Sequence, residues 1–200
     1  MPIISPVGLE LQPGERGNEI EEALIGAAAN AMADIGPRAM SVRSVARAAG
    51  VNHGQVHHYF GGKQGLVTAA MRRLAQEHLA AALERWGDGA LPPSGRLRED
   101  DRYVRAVMRT VLDGDLETAL LEIREGISVP RRILGATAKR QGTDEATTQA
   151  KAALIASFAL ELAWAALEPF FLELADVRDE EVDEVAELVM RISRTSGRRI

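Results

Sequence analysis

No cysteine occurs in the 200 residues. That excludes disulfides and thiolate metal sites and fits a cytoplasmic protein, the compartment where disulfides are rare. Aromatic residues are scarce, at 4%. Long apolar runs are missing as well. The longest, Ala152 to Leu160, is interrupted by Ser157 and followed by Glu161, Glu168 and Pro169. A membrane span needs ~20 mostly apolar residues, so a buried helix and no membrane partner are expected there. The beginning, Met1-Pro2-Ile3-Ile4-Ser5-Pro6, has no basic region followed by an apolar stretch, so no secretion signal is expected. The last absence is local. Between Gly36 and Gln76 there is no Asp or Glu, although the whole chain carries a net charge of −5. The same window holds Arg38, Arg43, Arg47, Lys63, Arg72 and Arg73, and the four histidines lie at 53, 57, 58 and 78. A basic, acid-free window in an acidic chain is the electrostatic footprint of a DNA-binding module.

What is abundant is Ala and Leu, within 46% apolar residues. These residues lose little side-chain entropy in a helix, and the length suits one large domain or two small ones sharing a core. The expected fold is all-α, with about nine helices and no sheet. Residues 1–17 are rich in Pro and Gly and read as a flexible arm. A first helix from Asn18 to Asp34 places Ile20, Leu24, Ala27, Ala28, Ala31 and Ile35 on one face, and Gly36-Pro37 ends it. Ser41 caps a second helix, Val42 to Ala49, and Gly50 closes it. Asn52 caps a third, with Gln55 placed to complete a capping box. Val51, Val56, Tyr59 and Phe60 belong to the core. A fourth helix spans Lys63 to Trp86, with Leu66, Ala70, Leu74 and Leu83 inward and His78 partly exposed. Beyond the loop at 87–95, helices end near Gly114 and at Gly126. Another covers Val129 to Arg140, a long one capped by Thr143 reaches about Leu174, and a last spans Asp179 to Arg194.

Helix, glycine turn, helix is a DNA-binding arrangement in which the second helix enters the major groove and its first side chains meet base edges. Asn52, His53, Gln55, His57 and His58 are the polar candidates on that helix. Gln55 can pair bidentately with adenine, and His53 can reach a base acceptor or a phosphate. Ser41, Arg43 and Lys63 are placed to hold phosphates. His53 and His57 are also four apart, a metal-ligand spacing, but no carboxylate or cysteine accompanies them, so no metal and no cofactor is assigned.

The run from Ser41 to Leu66 resembles the DNA-binding segment of the TetR family. The likeness rests on Ser41, Ala46, Ala49-Gly50-Val51, Gly54, Tyr59-Phe60, Lys63 and Leu66, and covers about Ile20 to Met71. It implies a homodimeric transcriptional regulator, with the last two helices of each subunit forming a four-helix interface near Ala150–Phe170 and Val182–Ile192. One departure is His57, where the family usually has a Tyr that contacts phosphate; a neutral imidazole donates only weakly there.

The expected organisation is therefore an arm (1–17), a helix-turn-helix domain (18–62) and a helical effector-binding and dimerisation domain (63–200), joined by the helix 63–86. Tyr103, Met108, Phe158 and Trp164 are the candidate lining of an effector pocket, although core positions would look the same. The leading expectation is a repressor that binds a palindromic operator and is released by a small, largely apolar effector. The alternative is a DNA-binding regulator controlled by a protein partner. No phosphate-binding glycine loop, metal box or nucleophile constellation points to an enzyme.

Overall fold

The computed structural model describes residues 13–87 and 101–198, without the side chains of 13–16, 86, 101 and 193–198. Among the described residues there are ten α-helices, one 3-10 turn and no strand. They are α1 (Pro13–Ala39), α2 (Val42–Ala48), α3 (Gly54–Phe60), α4 (Lys63–Trp86), α5 (Asp101–Leu112), α6 (Leu116–Ala119), α7 (Leu121–Arg124), α8 (Val129–Gln141), α9 (Thr148–Leu174) and α10 (Val182–Arg198), with the 3-10 turn at Asp179–Glu181.

The local signals explain most of these boundaries. The Ser41 hydroxyl accepts from the Ser44 amide at 3.0 Å, and Ser44 reaches back to the Ser41 amide, so the capping box belongs to α2. Asn52 accepts from the Gly54 amide at 2.9 Å, but Gln55 closes no box with it. Gly36, at φ 82° and ψ 158°, breaks α1 where the sequence places the break. Four expectations shift. Residues 13–17 are helical rather than part of an arm, while 1–12 lie outside the described residues. The segment ending at Gly126 forms two single turns, α6 and α7. Thr147, not Thr143, caps α9: it accepts from Ala150, whereas the Thr143 hydroxyl bonds to Ala138 and Glu145 carbonyls. The last α-helix starts at Val182 after a tighter turn that Arg178 pairs with Glu181.

One buried cluster runs through α1, α2, α3, α4, α5 and α7. Leu24, Met32, Met40, Val45, Val56, Leu66, Met71, Leu74, Val104 and Leu121 form its centre, with Val42, Val51, Tyr59 and Phe60 packed at its edge. The helix-turn-helix and the body therefore share a core across the start of α4. Removing such side chains from water is worth about 1.5–3 kcal/mol each. A second cluster joins α4 to α8 through Ala82, Val129 and Ile133. A third joins α9 to α10 through Trp164, Ala186 and Met190.

The helix expected to be buried is not. Within α9 only Glu161 and Trp164 are buried, and Ile155, Leu167, Phe170 and Leu174 face outward. By length and composition α9 is also long and apolar enough to cross a membrane. Ile35 and Leu83, expected to face inward, are exposed too, as are Val111, Leu116, Leu120 and Ile123.

Candidate nucleic-acid interface

The interface is built on α2 and α3, held by the turn between them. Gly50 adopts φ 71°, and the Val51 amide donates to the Ala46 carbonyl at 2.9 Å, which closes α2 and starts the turn. Val56, fully buried, anchors α3 on the core, so the opposite side of this seven-residue helix faces outward. Its position is fixed further by a close approach. A Cβ on Gly65 would lie 1.9 Å from the Phe60 carbonyl oxygen, so the first turn of α4 can pack on the end of α3 only because residue 65 has no side chain. The sequence expectations do not include Gly65. The signal is there, since a glycine inside a helix costs about 1 kcal/mol against alanine and invites a packing reason.

The sequence candidates fall into two groups. Arg43, His53, His57 and His58 are exposed, and the described residues place no carboxylate against Arg43 or its neighbour Arg47. The His58 ring meets Tyr59 edge-on, with centroids 4.9 Å apart. The others are partly committed. The Ser41 hydroxyl accepts from Ser44 N and donates to Ser44 Oγ at 2.8 Å, so its proton serves the cap. Asn52 has given its carbonyl oxygen to Gly54, which leaves its NH₂ end to donate outward. Gln55 is half-buried. Lys63 Nζ donates to the Arg38 carbonyl at 3.0 Å, so this ammonium ties the end of α1 to the start of α4 and keeps two further protons.

The acid-free window is not acid-free in space. Arg72 is bound by Glu125, the residue that ends α7, at 2.7 Å, and Arg73 by Glu22 of α1 at 2.5 Å. These carboxylates arrive from 53 and 51 residues away. Among the described residues, the basic side chains of this window with no carboxylate bound to them thus narrow to Arg38 at the end of α1, Arg43 and Arg47 on α2, and Lys63 at the start of α4.

Behind this surface lies a polar corner that the sequence did not reveal. Asp113 Oδ2 accepts from the Arg38 amide at 2.8 Å, and Arg109 Nε donates to the Ala33 carbonyl at 2.9 Å. Gln64 Nε2 donates to Thr118 Oγ1 at 3.2 Å and to Asp115 Oδ2 at 3.4 Å. Burial works against the charged Asp115 carboxylate. Hydrogen bonds from the Thr118 amide and hydroxyl and from Gln64, with the charge of Arg124, nevertheless hold its pKa below the ordinary value.

Two of the four candidate pocket residues, Tyr103 and Trp164, lie in separate packed clusters. Tyr103 is buried in the main cluster and its ring stacks on His78, with centroids 4.3 Å apart. His78 itself is buried rather than partly exposed. The Tyr103 hydroxyl donates to Glu122, whose other oxygen accepts from Ser128 Oγ at 2.7 Å, so this ring ties α5 to α7 and to the cap of α8. Trp164 belongs to the separate α9–α10 cluster, stacked on Phe171 at 6.3 Å. Met108 and Phe158 are partly buried. A small cavity of about 10 Å³ lies between α4 and α8, against Leu79, Ala82, Val129 and Ile133. It has room for about one water and touches none of the four.

Residues 24–70 match the sequence profile of the bacterial regulatory proteins of the tetR family. Over 167 residues the chain is 28% identical to the HTH-type transcriptional repressor Rv3405c of Mycobacterium tuberculosis, covering 84% of this chain and 83% of that one. Over 94 residues it is 35% identical to the HTH-type transcriptional regulator BetI of Ectopseudomonas mendocina, covering 47% and 43% of the two chains. A crystal structure of a tetR-family transcriptional regulator from Streptomyces coelicolor covers 90% of this chain and 80% of its own, at 20% identity and a TM-score of 0.49.

Proposed function

We propose, from the premise that this chain belongs to the TetR family of bacterial transcriptional regulators, that it is a homodimeric repressor which binds a palindromic operator through α2 and α3 and is released by a small effector. The observation that carries the DNA half is the group of polar side chains on α2, α3 and the turn between them: Arg43, Asn52, His53, Gln55, His57 and His58, gathered beside a buried Val56. In this reading Asn52, His53 and Gln55 at the start of α3 meet base edges. Arg43 and Lys63 hold phosphates on either side, and His57 and His58 approach the backbone where α3 ends.

The dimer half is supported by the outward apolar face of α9 and α10. Ile155, Phe170, Leu174 and Ile192 are too exposed to serve the monomer's own core, and a second copy of the same pair would cover them. This accounts for the apolar length of α9 without a membrane: α9 packs on α10 and α5, and its buried positions include Glu161, which lies within reach of the Ser157 hydroxyl. The effector half rests on the family alone, since Tyr103 and Trp164 serve separate packed clusters. Control by a protein partner is the second reading.

Selection of duplexes from a random pool by the full-length protein tests the central claim. The expected product is a palindrome. Replacing Arg43 by Ala should weaken binding to every sequence and reduce the slope of log K against log salt by about 0.9 for each phosphate that is no longer neutralised. Replacing Gln55 by Ala should instead change the preferred base in each half-site, at about 1–3 kcal/mol. A protein that enriches no sequence, at low or moderate salt, is not an operator-binding repressor.

A further inference from the structure

We infer that the corner between α5 and α6 is the joint that sets the angle of the DNA reader on the body, with Asp113 and Gln64 as its positioning residues. The inference rests on the operator-binding dimer proposed above and says what fixes the geometry of its two heads.

The helix-turn-helix is suspended between two points of the chain, where α1 ends and where α4 begins. Both are gripped by the same short segment. At the end of α1 the break at Gly36 leaves backbone groups without helical partners. The Ala33 carbonyl would take its bond from the amide of residue 37, but that residue is Pro37 and has no N–H. Arg109 Nε supplies the missing donor at 2.9 Å. The Arg38 amide, past the break, donates to Asp113 Oδ2 at 2.8 Å instead of to a helical carbonyl. The approach is close: a Cβ on Gly36 would stand 3.2 Å from Asp113 Oδ2 and 3.3 Å from Arg109 Cβ, at a φ of 82° that already disfavours other residues. At the start of α4, Gln64 reaches Thr118 and Asp115, and the Asp115 carboxylate is held in turn by the Thr118 amide at 3.0 Å. Lys63 closes the loop by bonding the Arg38 carbonyl at 3.0 Å.

Apolar packing between α1, α4 and α5 is non-directional and lets helices slide by small amounts at little cost. The bonds of Asp113 and Gln64 are directional and distance-limited, so they fix which of the nearby packings is occupied. In a dimer that angle sets the separation of the two α3 helices, which must match successive major grooves about 34–36 Å apart. Loosening the joint should therefore blur the spacing between half-sites that the dimer accepts, while each α3 goes on reading the same bases.

The experiment uses the full-length protein, the palindrome it selects, and the same palindrome with one or two base pairs inserted at its centre. Wild type should favour the selected spacing. Asp113→Ala and Gln64→Ala should each shrink that preference on the order of tenfold, the worth of a charge-assisted hydrogen bond, with unchanged base preference in the half-sites. Asp113→Asn, which keeps an acceptor oxygen for the Arg38 amide, should restore it. If both alanine variants are dimeric, melt like wild type and keep the wild-type spacing ratio, the joint is elsewhere and the inference is overturned. Should Asp113→Ala not fold, Gln64→Ala decides, because its exposed side chain is not needed for the core. Failure of the proposed function looks different: wild type then selects no palindrome, and the inference falls with it.

Discussion

In the DNA-reading unit the large apolar side chains that build the core are finished within the chain: Leu24, Val56 and Leu66 are each 0% exposed. In the α9–α10 pair the corresponding kind of residue is left open, with Ile155 at 68%, Phe170 at 58%, Leu174 at 71% and Ile192 at 61%. Both regions are helical, so secondary structure does not separate them. What separates them is the number of neighbours available. Helices α2 and α3 sit against α1 and α4 and have a core to close. Helix α9 has α10, α5 and α8 on part of its circumference, and on the rest its apolar side chains stay open among the described residues. The first unit is complete as a monomer; the second has the surface of a half-built bundle.

That contrast can be broken most sharply at the open face. Replacing Ile155 and Phe170 by Glu should convert the dimer to a monomer, read by light scattering at micromolar concentration. Affinity for the palindrome should fall by roughly 10²–10⁴, because the second half-site is no longer bound within the same particle. The helical spectrum should persist. A protein that stays dimeric after both substitutions does not associate through α9. At the closed face the effect should be the reverse. Leu24→Ala should lower the stability to urea by about 2–5 kcal/mol, the range for emptying a packed leucine site. Ile155→Ala, which empties no packed site within one subunit, should change stability chiefly through its dependence on protein concentration.

The smallest expected effect sharpens the link between the regions. Asp115 has a lowered pKa in the folded chain. Its charged form therefore favours folding above the unfolded carboxylate value, and that contribution disappears as pH falls through the lower, folded value. Asp115 is half-exposed, so solvent screens the effect to about 1 kcal/mol or less. Asp115→Asn keeps the acceptor that caps α6 and loses the charge, together with the second oxygen that accepts the longer bond from Gln64. Its melting temperature should lie slightly below wild type at neutral pH, and the gap should shrink in acid, as pH falls below the ordinary carboxylate pKa of about 3.9. An equal gap at neutral and acid pH would mean that the charge of Asp115 takes no part.

Where sequence signals were strong and local, they located elements well. Ser41 as a cap, the left-handed Gly50 and the span Lys63–Trp86 are all as read, because capping and turn chemistry act within four residues. Thr143 and Thr147 show the limit. Both are threonines before a helix, and either could cap it. The choice fell on Thr147 because the Thr143 hydroxyl is drawn back to Ala138 at the end of α8. Sequence also could not assign Tyr103, whose hydroxyl and ring serve the Glu122 and His78 contacts of the core.

The sequence by itself determined that this chain is helical, where the helix-turn-helix arrangement lies, and which short stretch carries basic and polar side chains with no acid close by in the chain. Each of those depends on neighbours along the chain. Only the tertiary structure decided which positive charges stay open, why residue 65 must lack a side chain, and what grips the reader from behind. Glu22 and Glu125 neutralise arginines 51 and 53 residues away, and Asp113 holds an amide 75 residues away. Over such separations many partners are possible for each charge and each orphaned amide. Packing of the apolar core brings one of them to within 3 Å, and the hydrogen bond then follows from distance rather than from sequence.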